Sequence, residues 1–63
     1  MDLAKLGNKF KRARIEAGLT QREVAKQAEI CRAHLIAVEQ GKTIPRYDKV
    51  VKLAKVLRLE LRD

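Results

Sequence analysis

The stretch from Thr20 to Glu39, TQREVAKQAEICRAHLIAVE, constrains this chain more than any other. Thr20 suits a helix N-cap, and Glu23 three residues later completes a capping box. Val24, Ala25 and Ala28 form an apolar stripe at helical spacing, which predicts a helix over 21–28. A second apolar pattern follows Cys31 and predicts a helix over 32–40. Gly41 then supplies a left-handed stop. With only Glu29, Ile30 and Cys31 between them, the two helices can meet only at a steep angle.

Helices joined this way form a helix-turn-helix, whose second helix lies in the DNA major groove. Gln21, Val24, Ala25, Ile30, Leu35, Val38 and Glu39 stand where the phage repressor and Cro (XRE-like) family places its Gln, branched apolar, Ala, apolar, apolar, branched apolar and Glu. The chain resembles that family from about Leu6 to Leu57. Ala25 must be small because the second helix crosses close to it. Ile30, Leu35 and Val38 fill the space between the helices. The resemblance implies an all-α, compact four- to five-helix bundle. It also implies sequence-specific double-stranded DNA binding by a transcriptional regulator, with repression the expected sign. One position departs from the pattern: the family usually has Gly in the tight turn, and this chain has Glu29. A non-Gly residue at positive φ costs about 1 kcal/mol or more.

Composition points to the same partner. The chain has 63 residues, read as a single domain spanning 1–63. A core this small leaves stability marginal unless the protein oligomerises. Fifteen Lys and Arg stand against eight Asp and Glu, a net charge of +7. That surplus favours a polyanion over plain solubility. A membrane surface fits less well, because no stretch sets Lys and Arg opposite Trp and Phe, and the aromatics are only Phe10 and Tyr47. No apolar run approaches a membrane span, and no secretion signal is visible. The lone Cys31 makes no internal disulfide and suits a reducing, cytoplasmic setting. The family resemblance implies a bacterial or phage-encoded protein in contact with DNA.

In chain order, Asp2 can cap a first helix over 3–17, with Leu3, Leu6, Phe10, Ala13 and Ala17 on one apolar face. Gly7 and Asn8 should weaken it and let its start fray. Gly18 ends it. Lys5, Lys9, Lys11 and Arg12 read as a solvated face. Arg14, four residues after Phe10, sits at the edge of the buried stripe. The family carries an Arg–Glu pair at the positions of Arg14 and Glu39, so these two are expected to form a structural ion pair. Gln21, in the first turn of its helix, can reach a phosphate aided by the helix dipole. The family uses a Gln there for that purpose, and Arg22 beside it is assigned the same role.

On a helical wheel at 100° per residue, Leu35 and Val38 face the core with His34 beside them. Arg32, Ala33, Ile36, Ala37 and Gln40 lie opposite. Arg32 is the best base reader, since Arg donates two bonds to guanine O6 and N7; its alternative is a phosphate contact. Ala33, Ile36 and Ala37 are the other base contacts, pressing on thymine methyls or allowing close approach. Ile36 stands where the family usually has a polar residue. Gln40, Lys42, Thr43 and Arg46 suit phosphate contacts around the following loop. Cys31 occupies an N-cap where the family has Ser or Thr, and a thiol caps poorly. It reads as a small packed residue, with redox sensing the other reading. Cys31 and His34 make half a zinc site with no second pair, so no metal is expected. Gly41-Lys42-Thr43 resembles the end of a phosphate-binding loop, but Ile36 stands where the required Gly should be.

Pro45 is expected to open a fourth helix, 47–57, whose face of Tyr47, Val50, Val51, Leu53, Ala54 and Leu57 closes the bundle. Leu57 to Arg62 then alternates with period two and reads as a strand. A lone strand is unstable, so Leu57, Leu59 and Leu61 are expected to pair across a homodimer, as in some antitoxins of this family, with a short fifth helix as the competing form. No constellation supports an enzyme, and no cofactor is implied. Three readings stay open: a DNA-binding repressor, an antitoxin binding both its operator and a toxin protein, and a purely protein-binding helical module.

Overall fold

Four helices make up most of residues 2–59, the part of the chain described by the computed structural model. They are α1 (Leu3–Glu16), α2 (Gln21–Ala28), α3 (Arg32–Glu39) and α4 (Tyr47–Leu57). Every bound falls within one residue of the sequence expectation. The starts of α1 and α2 are fixed by side chains. The Asp2 carboxylate accepts from the N–H groups of Ala4 at 3.0 Å and Lys5 at 3.3 Å. Thr20 Oγ1 accepts from Glu23 N at 3.1 Å, and Glu23 Oε1 accepts from Thr20 N at 3.0 Å. This reciprocal bonding holds the Glu23 carboxyl below its ordinary pKa, the Thr20 backbone N–H being the larger cause. Cys31 and Arg46, the caps of α3 and α4, make no side-chain capping bond. Cys31 is exposed, not packed as expected.

All four helices end the same way. A residue in the left-handed region follows the last turn, and the next two N–H groups bond back to its carbonyls. In α1, Gly18 N donates to Ile15 O and Leu19 N to Arg14 O. In α2 the donors are Glu29 N and Ile30 N, in α3 Gly41 N and Lys42 N, and in α4 Arg58 N and Leu59 N. The left-handed residue is thus Gly18, Glu29, Gly41 or Arg58 in turn. In three of the four, the residue after it is apolar and packs against the core: Leu19, Ile30 and Leu59. At those three helix ends the reversal therefore also supplies core.

Glu29 adopts φ 59°, as its place in the tight turn demands. Lys52 pairs with its carboxylate at 3.1 Å and Lys49 Nζ donates to its carbonyl at 3.2 Å, tying the turn to α4. The Lys52 hydrogen bond and charge hold the Glu29 carboxyl below its ordinary pKa. That pair is solvent-exposed and contributes little. The carbonyl bond survives any side-chain change. Glu29→Gly is therefore expected to stabilise the fold by about 0.5–1 kcal/mol, the relief of left-handed strain outweighing the lost pair. Thermal unfolding checks this; a lower melting temperature for the variant would show that the Lys52 pair matters more than the strain.

The core is built from Phe10, Val24, Leu35, Val38 and Leu53, all with at most 1% exposure, with Ala25, Ala28 and Leu57 around them. One residue comes from α1, one from α2, two from α3 and one from α4. Ala25 is 3% exposed and lies in this cluster, as its small size requires.

Four further expectations need correction. Gly7 does not mark a frayed start: it is buried within α1. A Cβ there would collide with the carbonyl oxygen of Val38 and lie 2.8 Å from that of Glu39, so Gly7 is where α1 rests directly on the backbone of α3. Tyr47 does not close the bundle; as the first residue of α4 it is 80% exposed, and the buried face of that helix is carried by Leu53, Ala54 and Leu57. Pro45 lies one residue before the N-cap Arg46, and it is buried rather than being the first helical residue. Finally, Leu57 and Leu59 do not begin a strand. Leu57 ends α4 at 7% exposure in the core, Arg58 turns left-handed at φ 54°, and Leu59 folds back onto the core. A leucine row starting at Leu57 is thus not free to pair across a dimer. Leu61 and the rest of that expected strand lie outside the described residues. Among the described residues, no helix is long and apolar enough to cross a membrane.

Candidate nucleic-acid interface

The junction of α1, α2 and α3 is held by one buried polar network. Arg14 Nε donates to Glu39 Oε2 at 2.8 Å, and its Nη2 donates to Oε1 at 3.2 Å. The third donor, Nη1, reaches Leu19 O at 3.1 Å. Gln21 Nε2 completes the set by donating to Glu39 Oε1 at 3.2 Å. The Glu39 side chain is 3% exposed and that of Arg14 13%. The planar guanidinium matches the carboxylate with two parallel bonds, the strongest geometry available to such a pair. Among the described residues no buried side-chain nitrogen or oxygen lacks a partner.

The network ties the end of α3 to both other helices of the junction. Arg14 lies in the last turn of α1, Gln21 is the first residue of α2, and Glu39 the last of α3. One carboxylate therefore ties three helices. The ion pair of Arg14 and Glu39 stands as expected. The bonds from Gln21 and to Leu19 O were not foreseen; they join residues 18 and 5 apart with no periodicity to reveal them.

With Leu35, Val38 and Glu39 turned inward, α3 presents its opposite face to solvent. Arg32, Ala33 and Gln40 are exposed, and Ile36 and Ala37 half-buried. All five expected groove-facing residues thus lie on the accessible side, while His34 is half-buried beside the core. Arg14, Thr20, Gln21, Arg22 and Arg32 line one open depression, where the start of α2 meets the start of α3. Arg22 is exposed; Gln21 is half-buried because its amide nitrogen is engaged by Glu39. Past the other end of α3, Lys42 and Arg46 are exposed and Thr43 half-buried. Lys42 is anchored through its backbone, whose N–H donates to Ala37 O at 2.9 Å. Gly41, at φ 73°, lets this loop pass against α1: a Cβ there would lie 2.9 Å from Ala4 Cα. Cationic and amide side chains therefore flank both ends of an exposed helix. No group of three or more His, Cys, Asp or Glu among the described residues could hold a metal ion.

A short helix held across a second one by a left-handed turn, with its outer face open, defines a helix-turn-helix DNA-binding module. Comparison with known proteins agrees. A helix-turn-helix family model matches residues 10–63. Among solved structures, the restriction-modification controller protein C.AhdI from Aeromonas hydrophila is similar, with 30% identity and a TM-score of 0.88 over 94% of this chain and 89% of that one. No curated protein matches the sequence significantly. The chain belongs to the helix-turn-helix family of Cro/C1-type regulators, proteins of DNA-binding transcriptional regulation.

Proposed function

We propose that this protein is a sequence-specific regulator that inserts α3 into the major groove of double-stranded DNA and acts as a repressor. The observation that supports this reading most is the contrast between the two faces of α3. Its inner face is locked by Glu39, Leu35 and Val38, and its outer face, Arg32 to Gln40, is free and flanked by cations. In this arrangement Arg32 reads a guanine through O6 and N7, with Ala33, Ile36 and Ala37 against neighbouring bases. Gln21, Arg22, Gln40, Lys42, Thr43 and Arg46 hold the phosphates on either side. Gln21 spends one N–H of its side-chain amide on Glu39, so its phosphate contact comes from its backbone N–H or from the second N–H of that amide.

One helix of this length reaches only a few base pairs. We propose that the protein binds as a homodimer on a pseudo-palindromic site whose half-sites lie about one DNA turn apart. The similarity to a restriction-modification controller protein fits a role in controlling gene expression. The antitoxin reading uses the same DNA face and adds a toxin protein, and a larger protein co-purifying with this one is its signature.

The two classes of contact separate by mutation. Arg32→Ala is expected to cost about 1–3 kcal/mol on the best site and to relax preference at one base position. Lys42→Ala is expected to weaken all sequences about equally and to flatten the dependence of affinity on salt by about one unit of slope. Competition titrations on matched and mismatched duplexes give both quantities. If Arg32→Ala also weakens all sequences uniformly, Arg32 holds a phosphate and another residue reads the base.

A further inference from the structure

The outer face of α3 has an unusual distribution of chemistry. Its hydrogen-bonding side chains sit at its two ends, Arg32 and Gln40. Between them stand Ala33, Ile36 and Ala37, which carry only hydrocarbon. Ile36 and Ala37 are half-buried and Ala33 exposed, although none of them is in the core cluster. The other polar side chains are committed elsewhere, lie on the core side or lie beyond the helix: Glu39 is held by Arg14 and Gln21, His34 is half-buried beside the core, and Lys42 and Thr43 follow Gly41.

A hydrocarbon side chain gains nothing from the donors and acceptors of the groove floor. Left facing N7, O6 or an exocyclic amine, it strips water from them and replaces no bond, a net loss. The one feature of the major groove that it can favour is a C5-methyl group, which has the same position on thymine and on 5-methylcytosine. Ala33 and Ala37 keep the backbone close, and Ile36 is the only one of the three long enough to cover a methyl from the side.

We infer that the middle of α3 is a reader of pyrimidine C5-methyl groups, with Ile36 its specificity-determining residue. This rests on the DNA reading proposed above and extends it to a chemical class. The central positions of each half-site carry thymine on the strand facing Ile36, and 5-methylcytosine is accepted there in preference to cytosine. Binding then depends on base methylation at those steps without any hydrogen bond to the methylated base.

The test uses the full chain and the duplex it binds best from a random pool. Each thymine in turn is replaced by deoxyuridine, which removes one methyl and nothing else. At one or two central positions affinity should fall about three- to fivefold, the effect of losing one buried methyl contact. Cytosine placed there should bind better once methylated at C5. Ile36→Ala, a change at a half-buried position outside the core, should fold normally and abolish the thymine-to-deoxyuridine difference at one position while leaving the others. A protein that binds its duplex but shows no deoxyuridine penalty, or a penalty that Ile36→Ala leaves intact, would overturn the methyl reading alone. Failure to bind any duplex at low salt would overturn the DNA reading beneath it as well.

Discussion

Gly7→Ala is expected to lower the unfolding free energy by about 3 kcal/mol, despite placing the best helix former inside a helix. On propensity alone the change should gain about 1 kcal/mol. Sterics reverse the sign. The new methyl would collide with Val38 O and meet Glu39 O at 2.8 Å and Glu39 C at 3.0 Å. All three atoms are backbone, so no rotamer change relieves the contact and α1 must move off α3. Overpacking of this kind costs about 1–3 kcal/mol even where side chains can adjust. Here the movement also stretches the bonds of Arg14 to Glu39, whose own backbone is part of the contact. Domains of this size rarely hold more than about 3–5 kcal/mol, so the variant should be largely unfolded near physiological temperature. Urea denaturation followed by circular dichroism measures the change. An unchanged or raised midpoint would mean that the helices do not approach as closely as described.

The second large effect is expected at Glu39. Its carboxylate accepts from Arg14 and Gln21, and replacing it leaves a guanidinium at 13% exposure with only Leu19 O as partner. An uncompensated buried charge costs about 3–5 kcal/mol. Glu39→Ala should therefore lose about 3 kcal/mol or more, and Arg14→Ala a similar amount by leaving the buried carboxylate with Gln21 as its one side-chain partner. The double variant should lose much less than the sum, because the second change removes the charge that the first one stranded. Denaturation of the four proteins of this cycle gives the coupling directly. A coupling near zero would show that the pair acts only as surface decoration. Network loss also frees α3 from α1 and α2, so any Glu39 variant that still folds should bind DNA more weakly without contacting it.

What the sequence revealed of this architecture was mostly local. The capping box of Thr20 and Glu23 spans three residues, and its signal is complete within them. The apolar stripe of α2 and the inner face of α3 follow from helical period. Arg14 and Glu39 stand 25 residues apart; they were found through family resemblance and through Arg14 lying at the margin of its stripe. Gly7 was misread because its value lies wholly in a second helix: nothing within α1 says that the backbone of residues 38 and 39 will rest there. The alternation of Leu57, Arg58 and Leu59 was misread for another reason. A left-handed residue after a helix turns the next side chain back onto the core, which produces the same apolar–polar–apolar order as a strand. Pattern alone does not separate the two over three residues. On the interface, the placing of Arg32, Ala33, Ile36, Ala37 and Gln40 opposite Leu35 and Val38 followed from the wheel, though Ile36 and Ala37 are half-buried. The tether between Gln21 and Glu39 did not, because it depends on the crossing of α2 and α3.

The central claim is that the outer face of α3 reads DNA sequence, and selection from a random duplex library tests it most directly. Immobilised protein is incubated with the library at low salt, and retained duplexes are amplified and sequenced over several rounds. The account predicts convergence on one motif: two inverted half-sites about one helical turn apart, each with a guanine for Arg32 beside thymine-rich central steps. Retention that stays sequence-independent through every round, however tight at low salt, would contradict it. It would leave a basic helical surface that holds phosphates and reads nothing.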